Sequence, residues 1–236
     1  MKRVLPIIVL AVLSASLIGQ DSLVHVASQD QGSKLANSFI VPGVLMASGI
    51  LLNHHDRKRD AHTFIRENLG TTRTVMDDYL QHIPLFSLIL SDLISKKDKD
   101  VVKAHLSHFV VAQMVTISGT YILKWSVNAR RPSGGPRSFP SGHTAYAFTG
   151  ATYLFHVLRD DHPFWAHMSF VPAIATGMLR ISNNRHWPSD VLFGAGLGIL
   201  VPTLFYQLKW RHKLDSSDSA YHFDIYPGGL SLKYRF

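Results

Sequence analysis

The run Val191-Leu192-Phe193-Gly194-Ala195-Gly196-Leu197-Gly198-Ile199-Leu200-Val201-Pro202-Thr203-Leu204-Phe205-Tyr206-Gln207-Leu208 carries no charged side chain. At a rise of about 1.5 Å per residue, a helix of this length crosses the hydrocarbon core of a bilayer. Gly194, Gly196 and Gly198 resemble a glycine-rich nucleotide loop. No strand precedes them and apolar residues surround them, so they read instead as small residues that let another helix approach closely. Stretches 105–123, 138–158 and 162–179 are likewise almost free of charge, and with 191–208 they predict four spans. Two shorter stretches, 38–53 and 83–95, add zero to two more. The second is flanked by Asp77 and Asp78 and contains Asp92, which suits a buried or surface-lying helix as well as a span. The expected fold class is therefore all-α, a helical bundle with four to six membrane spans. A compact periplasmic helical bundle is the soluble alternative.

Composition points the same way. Hydrophobic residues make up 46% of the 236 positions and charged residues 17%, below the roughly 25% of ordinary soluble domains. The mean hydropathy of +0.08 is modest for a multi-span chain, so polar loops must dilute the apolar stretches. The chain has no cysteine, which excludes a disulfide framework, a thiolate zinc site and a cysteine nucleophile. A formal charge of +8 suits anionic partners such as phosphate groups or an anionic lipid surface. No nucleic-acid partner is expected, because no recognised nucleic-acid motif and no basic helix with interleaved aromatics accompanies the charge.

Lys2 and Arg3, the apolar run from Val4 to Leu13 and the small residues up to Gly19 make 1–20 either a secretory signal or an uncleaved first membrane helix. Residues 21–210 form the expected helical domain. A polar tail, 211–236, ends with Tyr221–Tyr226 and Leu230–Phe236 alternating around Pro227-Gly228-Gly229, the pattern of a short β-hairpin. His54-His55 and His105…His108 lack a third candidate metal ligand and read as surface or interfacial histidines; no metal site and no cofactor is expected.

Three clusters join basic residues to turn-forming ones beside an apolar helix. Lys124 closes one apolar stretch, and Arg131-Pro132 follows in the connector. The two cations either meet a common anion or merely snorkel from a helix end. Phe139-Pro140-Ser141-Gly142-His143 opens the next helix. There Ser141 can cap, Gly142 allows close backbone approach, and free N–H groups at a helix N-terminus favour an anion. Alternatively, this is an ordinary capped helix with an incidental histidine. Arg180 is followed by His186 and Asp190, with Pro188 suited to the first helical position. Asp190 would then face back toward His186, hold one imidazole nitrogen and leave the other to attack, or the two would form a purely structural pair.

Taken together, Lys124…Arg131-Pro132, Pro140-Ser141-Gly142-His143 and Arg180…His186…Asp190 resemble the three-part signature of the type 2 phosphatidic acid phosphatase superfamily, in order and in spacing, over roughly 105–208. Leu179 departs from the serine that many members carry before the arginine. The resemblance implies a helical bundle with the motif loops at one end. It also implies a metal-independent phosphomonoesterase or pyrophosphatase in which His186, oriented by Asp190, attacks phosphorus to give a phosphohistidine. His143 would protonate the leaving group and then activate water. Lys124, Arg131, Arg180, Ser141 and the Gly142 amide would hold the phosphoryl oxygens.

Apolar helices beside such a site suit a lipid phosphate: lipid A, phosphatidylglycerol phosphate, phosphatidic acid or polyprenyl pyrophosphate. Met76-Asp77-Asp78-Tyr79-Leu80-Gln81-His82 resembles the lipid A-modifying envelope phosphatases. The alternatives within the superfamily are a secreted non-specific acid phosphatase and a vanadate-dependent haloperoxidase; outside it stands a non-catalytic headgroup binder. The expected location is the inner membrane of a bacterial envelope, with 54–104 inside and the site facing the periplasm, or a soluble periplasmic protein.

Overall fold

The computed structural model describes residues 37–71, 73–215, 221–226 and 229–234, with side chains described as far as Leu208. The segment 1–20, read as a signal or first helix, lies outside them. So does the Pro227-Gly228 pair on which the hairpin expectation rests. Strands β1 (Tyr221–Tyr226) and β2 (Gly229–Tyr234) pair antiparallel with Tyr221 opposite Tyr234.

Nine helices occupy the described residues: α1 (Ile40–Leu52), α2 (His55–Leu69), α3 (Met76–Leu80), α4 (Ile83–Ile94), α5 (Lys99–Val127), α6 (Gly142–Leu158), α7 (Pro163–Met168), α8 (Phe170–Ser182) and α9 (Pro188–Asp215). Of these, α5 and the Pro188–Leu208 part of α9 are long and apolar enough to cross a membrane, where the sequence predicts four such spans. The other two stretches form shorter helices. Stretch 138–158 yields only the 17 residues of α6, and that helix buries Ala145, Ala147, Ala151, Leu154 and Phe155 at the centre of the bundle. Stretch 162–179 is broken at Ser169, whose hydroxyl donates to Ala166 O at 2.6 Å and to Ala151 O at 2.9 Å.

Glycine decides how α9 packs. A Cβ at Gly194 would stand 2.6 Å from Ser141 O, one at Gly198 2.5 Å from Ala145 O, and one at Gly196 2.8 Å from Pro42 O. Backbone thus lies on backbone against α6 on one side and α1 on the other, as the small-residue reading requires. Gly198→Ala has no flexible side chain to push aside, and overpacking of this kind costs about 1–3 kcal/mol. The expected result is a fall of several degrees in the melting temperature of the detergent-solubilised protein. An unchanged melting temperature would contradict the packing.

Helices α1, α4, α5, α6, α8 and α9 run between two ends of the bundle. Gly49, near the C-terminus of α1, abuts Ser189 and Phe193 at the start of α9, while Ser38 accepts a bond from Gln207 at the far end. Helix α4 leads away from Asp77 and Asp78 toward Asp92, whose two oxygens each lie 3.0 Å from His105 Nδ1. His105 sits about 28 Å along α5 from Lys124 at 1.5 Å per residue. Two expectations are corrected. His105 is the partner of a buried carboxylate and not a lone surface histidine. The basic region 54–104 does not lie on one side, because α4 carries the chain from one end of the bundle to the other.

Candidate active site

All three motifs meet at one end of the bundle. Helix α5 stops at Asn128, whose left-handed conformation (φ 45°) is one that asparagine tolerates at a helix end. Lys124, in the last turn, donates to Arg137 O at 3.0 Å and Ser138 O at 3.3 Å, so the loop after the helix folds back over it. That loop is held by Ser138 N–H on Ala129 O at 2.8 Å and Arg131 N–H on Gly135 O at 2.7 Å. Its Phe139 ring packs on Phe193 of α9 at 4.7 Å.

The second and third motifs are joined directly, since Ser141 N–H donates to Asp190 O at 3.0 Å. Ser141 takes the N-cap position of α6 but makes no side-chain cap bond. Its fully buried hydroxyl instead pairs with Thr144 Oγ1 at 2.9 Å, which corrects the expected cap. A Cβ at Gly142 would meet Thr120 Cγ2 at 3.6 Å and Lys124 Cε at 3.7 Å. These are ordinary contacts that bring the first motif against the second.

Asp190 organises the third motif. Pro188 opens α9 and Asp190 stands in its first turn. From there its Oδ2 accepts the Trp187 backbone N–H at 3.0 Å, the reciprocal half of a capping box. The same oxygen lies 3.3 Å from His186 Nδ1 and takes the Ser138 hydroxyl in a very short bond. Both His186 and Asp190 are buried. With Nδ1 held by a carboxylate, Nε2 is the imidazole nitrogen left for chemistry. Burial pushes the His186 pKa down to about 4, against the opposing pull of Asp190 and with help from Lys124 and Arg180. The ring is therefore neutral above about pH 4. If it attacks, kcat/KM should rise as pH increases through about 4 and not near the ordinary histidine value. A pH–rate profile of the free enzyme reports this limb, and an acid limb near 6.5 assigned to His186 would refute it.

The cations crowd together. Burial and the guanidinium groups of Arg180 and Arg185 lower the pKa of Arg131, so a group of like charge occupies this end without an equal number of carboxylates touching it. The Nε atoms of Arg131 and Arg180 are buried without a hydrogen-bond partner, an arrangement that favours an anion able to accept from them. Among the described residues, no three His, Asp or Glu side chains are grouped to hold a metal ion.

In the sequence, Asp77 and Asp78 stand in stretch 76–82 and were given no part in the site. Asp77, 2% exposed, accepts from Arg180 Nη1 at 2.5 Å and Asn183 Nδ2 at 3.0 Å, and Asp78 Oδ1 lies 2.8 Å from His143 Nε2. Two adjacent carboxylates ahead of an apolar helix in a basic chain were the available signal. Trp187 adds a second tie, its Nε1 donating to Arg130 O at 2.7 Å while its ring meets His62 of α2 edge-on at 5.2 Å.

The profile of the family described as PAP2 superfamily matches residues 84–214, more than half of the chain. The chain belongs to the PAP2 superfamily. Among curated PAP2-like relatives it is 48% identical over 88 residues to a lipid A 1-phosphatase of Porphyromonas gingivalis, covering 36% of this chain and 20% of that protein. It is 29% identical over 112 residues to an undecaprenyl-diphosphatase of Sulfolobus acidocaldarius, covering 46% of this chain and 50% of that one. The matches thus span a fifth to a half of these relatives' lengths. The crystal structure of a transmembrane PAP2-type phosphatidylglycerolphosphate phosphatase from Bacillus subtilis shares the fold, with a TM-score of 0.53 at 17% identity over 75% of this chain and 96% of that one. Asp77 and Asp78 lie outside the matched residues of the PAP2 profile.

Proposed function

We propose that this chain is a metal-independent phosphatase that hydrolyses a lipid phosphate through a phosphohistidine on His186. The observation that carries the reading is the buried His186–Asp190 pair set beside Lys124, Arg131 and Arg180, three cations from three separate elements. His186 Nε2 attacks phosphorus in line. His143 gives a proton to the leaving oxygen, then takes one from the water that hydrolyses the phosphohistidine. Lys124, Arg131 and Arg180 neutralise charge on the equatorial oxygens with the Gly142 amide. Ser141, whose hydroxyl also pairs with Thr144 Oγ1, completes the phosphate-binding set.

A lipid substrate is supported by the outward apolar side chains Val110, Met114, Ile117 and Ile122 on α5 and Phe86, Leu90 and Leu93 on α4, which suit acyl chains. The similarity to a lipid A 1-phosphatase puts a lipid A phosphate first among the candidates. The site lies at the end of the bundle opposite to the entry of α1. A chain entering α1 from the cytoplasm therefore presents the site to the periplasm, the orientation we propose for an inner-membrane protein.

The test is phosphate release by the detergent-purified chain in EDTA from lipid A, phosphatidylglycerol phosphate, phosphatidic acid, undecaprenyl pyrophosphate and 4-nitrophenyl phosphate. Release from one of the lipids supports the reading and names the substrate. Release from the aryl ester alone points to the acid-phosphatase alternative, and silence from folded protein overturns the reading.

A further inference from the structure

Asp78 sits on α3, a five-residue helix that the matched residues 84–214 do not include. Its placement does not depend on its own carboxylate. Asp77 beside it is bonded to Arg180 and Asn183. Thr74 and Asn183 exchange two bonds, Thr74 N–H to Asn183 Oδ1 at 3.1 Å and Asn183 Nδ2 to Thr74 O at 2.9 Å. Ser182 Oγ donates to Gly70 O at 2.6 Å. Gly70, Thr74 and Asp77 are thus tied to the end of α8 by other groups, and the half-exposed Asp78 side chain has two charged neighbours, His143 Nε2 at 2.8 Å and Arg180 Nη1 at 3.6 Å. The charged groups facing His143 are Asp77 and Asp78 from α3 and Arg180 from α8. Burial, and then Arg180, disfavour a proton on that ring, and Asp77 is already committed to Arg180. Asp78 is the carboxylate in direct contact with the imidazole.

We propose that Asp78 is a positioning residue for the proton transfers made by His143, the counterpart for the acid of what Asp190 is for the nucleophile. This rests on the reading of His143 as general acid. With Nε2–H donating to Asp78, the ring orientation is set, an imidazolium is compensated, and Nδ1 is the nitrogen that exchanges the proton. As the His186 Nε2–P bond forms and the P–O ester bond breaks, the Nδ1 proton passes to the leaving oxygen. In the second half, neutral Nδ1 takes a proton from water as the water oxygen bonds to phosphorus and the P–N bond breaks, which restores the starting state.

The experiment measures single-turnover formation of phosphohistidine by the full chain and by its Asp78→Asn, Asp78→Glu and His143→Gln variants. The two probes are short-chain phosphatidic acid, whose alkoxide leaving group needs a proton, and 4-nitrophenyl phosphate, whose leaving group does not. General-acid catalysis contributes roughly 10²–10⁴-fold. On that scale, Asp78→Asn is expected to slow the alkyl ester by about 10²-fold and the aryl ester by less than about threefold, with Asp78→Glu recovering most of the loss. Equal losses on both esters, or none on the alkyl ester while His143→Gln is impaired, would overturn the proposal and leave the role of His143 standing. Unimpaired phosphorylation from the alkyl ester by His143→Gln would remove that role and the proposal with it, and no phosphorylation of the unaltered chain by either ester would overturn the phosphatase reading beneath both.

Discussion

His186→Asn is expected to lose phosphate release by a factor on the order of 10⁴ or more, because the only bond-forming atom is removed while the binding cations stay in place. Asparagine retains a donor within reach of Asp190, so the buried carboxylate is not stranded and the helix content and melting temperature should change little. The same variant should yield no acid-labile phosphoprotein when quenched during turnover, whereas the unaltered chain should. Substantial turnover by folded His186→Asn, or an undiminished phosphoprotein signal, would mean that the nucleophile lies elsewhere.

Arg180→Ala is expected to act on stability as well as on turnover. Arg180 is 7% exposed and its partner Asp77 2% exposed, so truncating the arginine leaves a buried carboxylate that keeps the Asn183 hydrogen bond but loses its ion-pair partner. Breaking a buried ion pair from one side costs about 3–5 kcal/mol, enough to lower the melting temperature in detergent by many degrees. Asp77→Asn in the Arg180→Ala background should recover much of that stability, since the stranded charge is gone. It should recover no activity, since the phosphoryl oxygens still lack the guanidinium. A melting temperature unmoved by Arg180→Ala would show that the pair is not the buried clamp described above.

The long apolar helices α5 and α9, the order of the motifs and the His186–Asp190 pairing were legible in the chain because each is local. Pro188 and Asp190 belong to one helix start, and a spacing of four residues brings Asp190 to the imidazole through a single turn. The clustering of glycines in α9 was legible for the same reason, since three small residues at alternate positions leave a helix open to close neighbours. The resemblance to the PAP2 signature supplied the expectation that three separated loops would converge, which local pattern alone does not encode.

Other features depended on packing. Stretch 162–179 is apolar enough to read as one span, yet it divides into α7 and α8 at Ser169, whose hydroxyl bonds carbonyls of α6 and of its own preceding turn. Asp92 looked like a charge interrupting a short apolar helix until His105, on another helix, proved to be its partner. Asp77 and Asp78 read as flanking charges, because nothing within a turn of them explains two adjacent carboxylates. Their partners are Arg180, 103 residues further on, and His143. The sequence by itself determined the order and spacing of the three motifs and the two long apolar helices α5 and α9, since both follow from residue type and short-range spacing. Only the tertiary structure decided which carboxylate faces which cation, which apolar helices lie inside the bundle and which way α4 runs, because those depend on contacts between segments that share no local pattern.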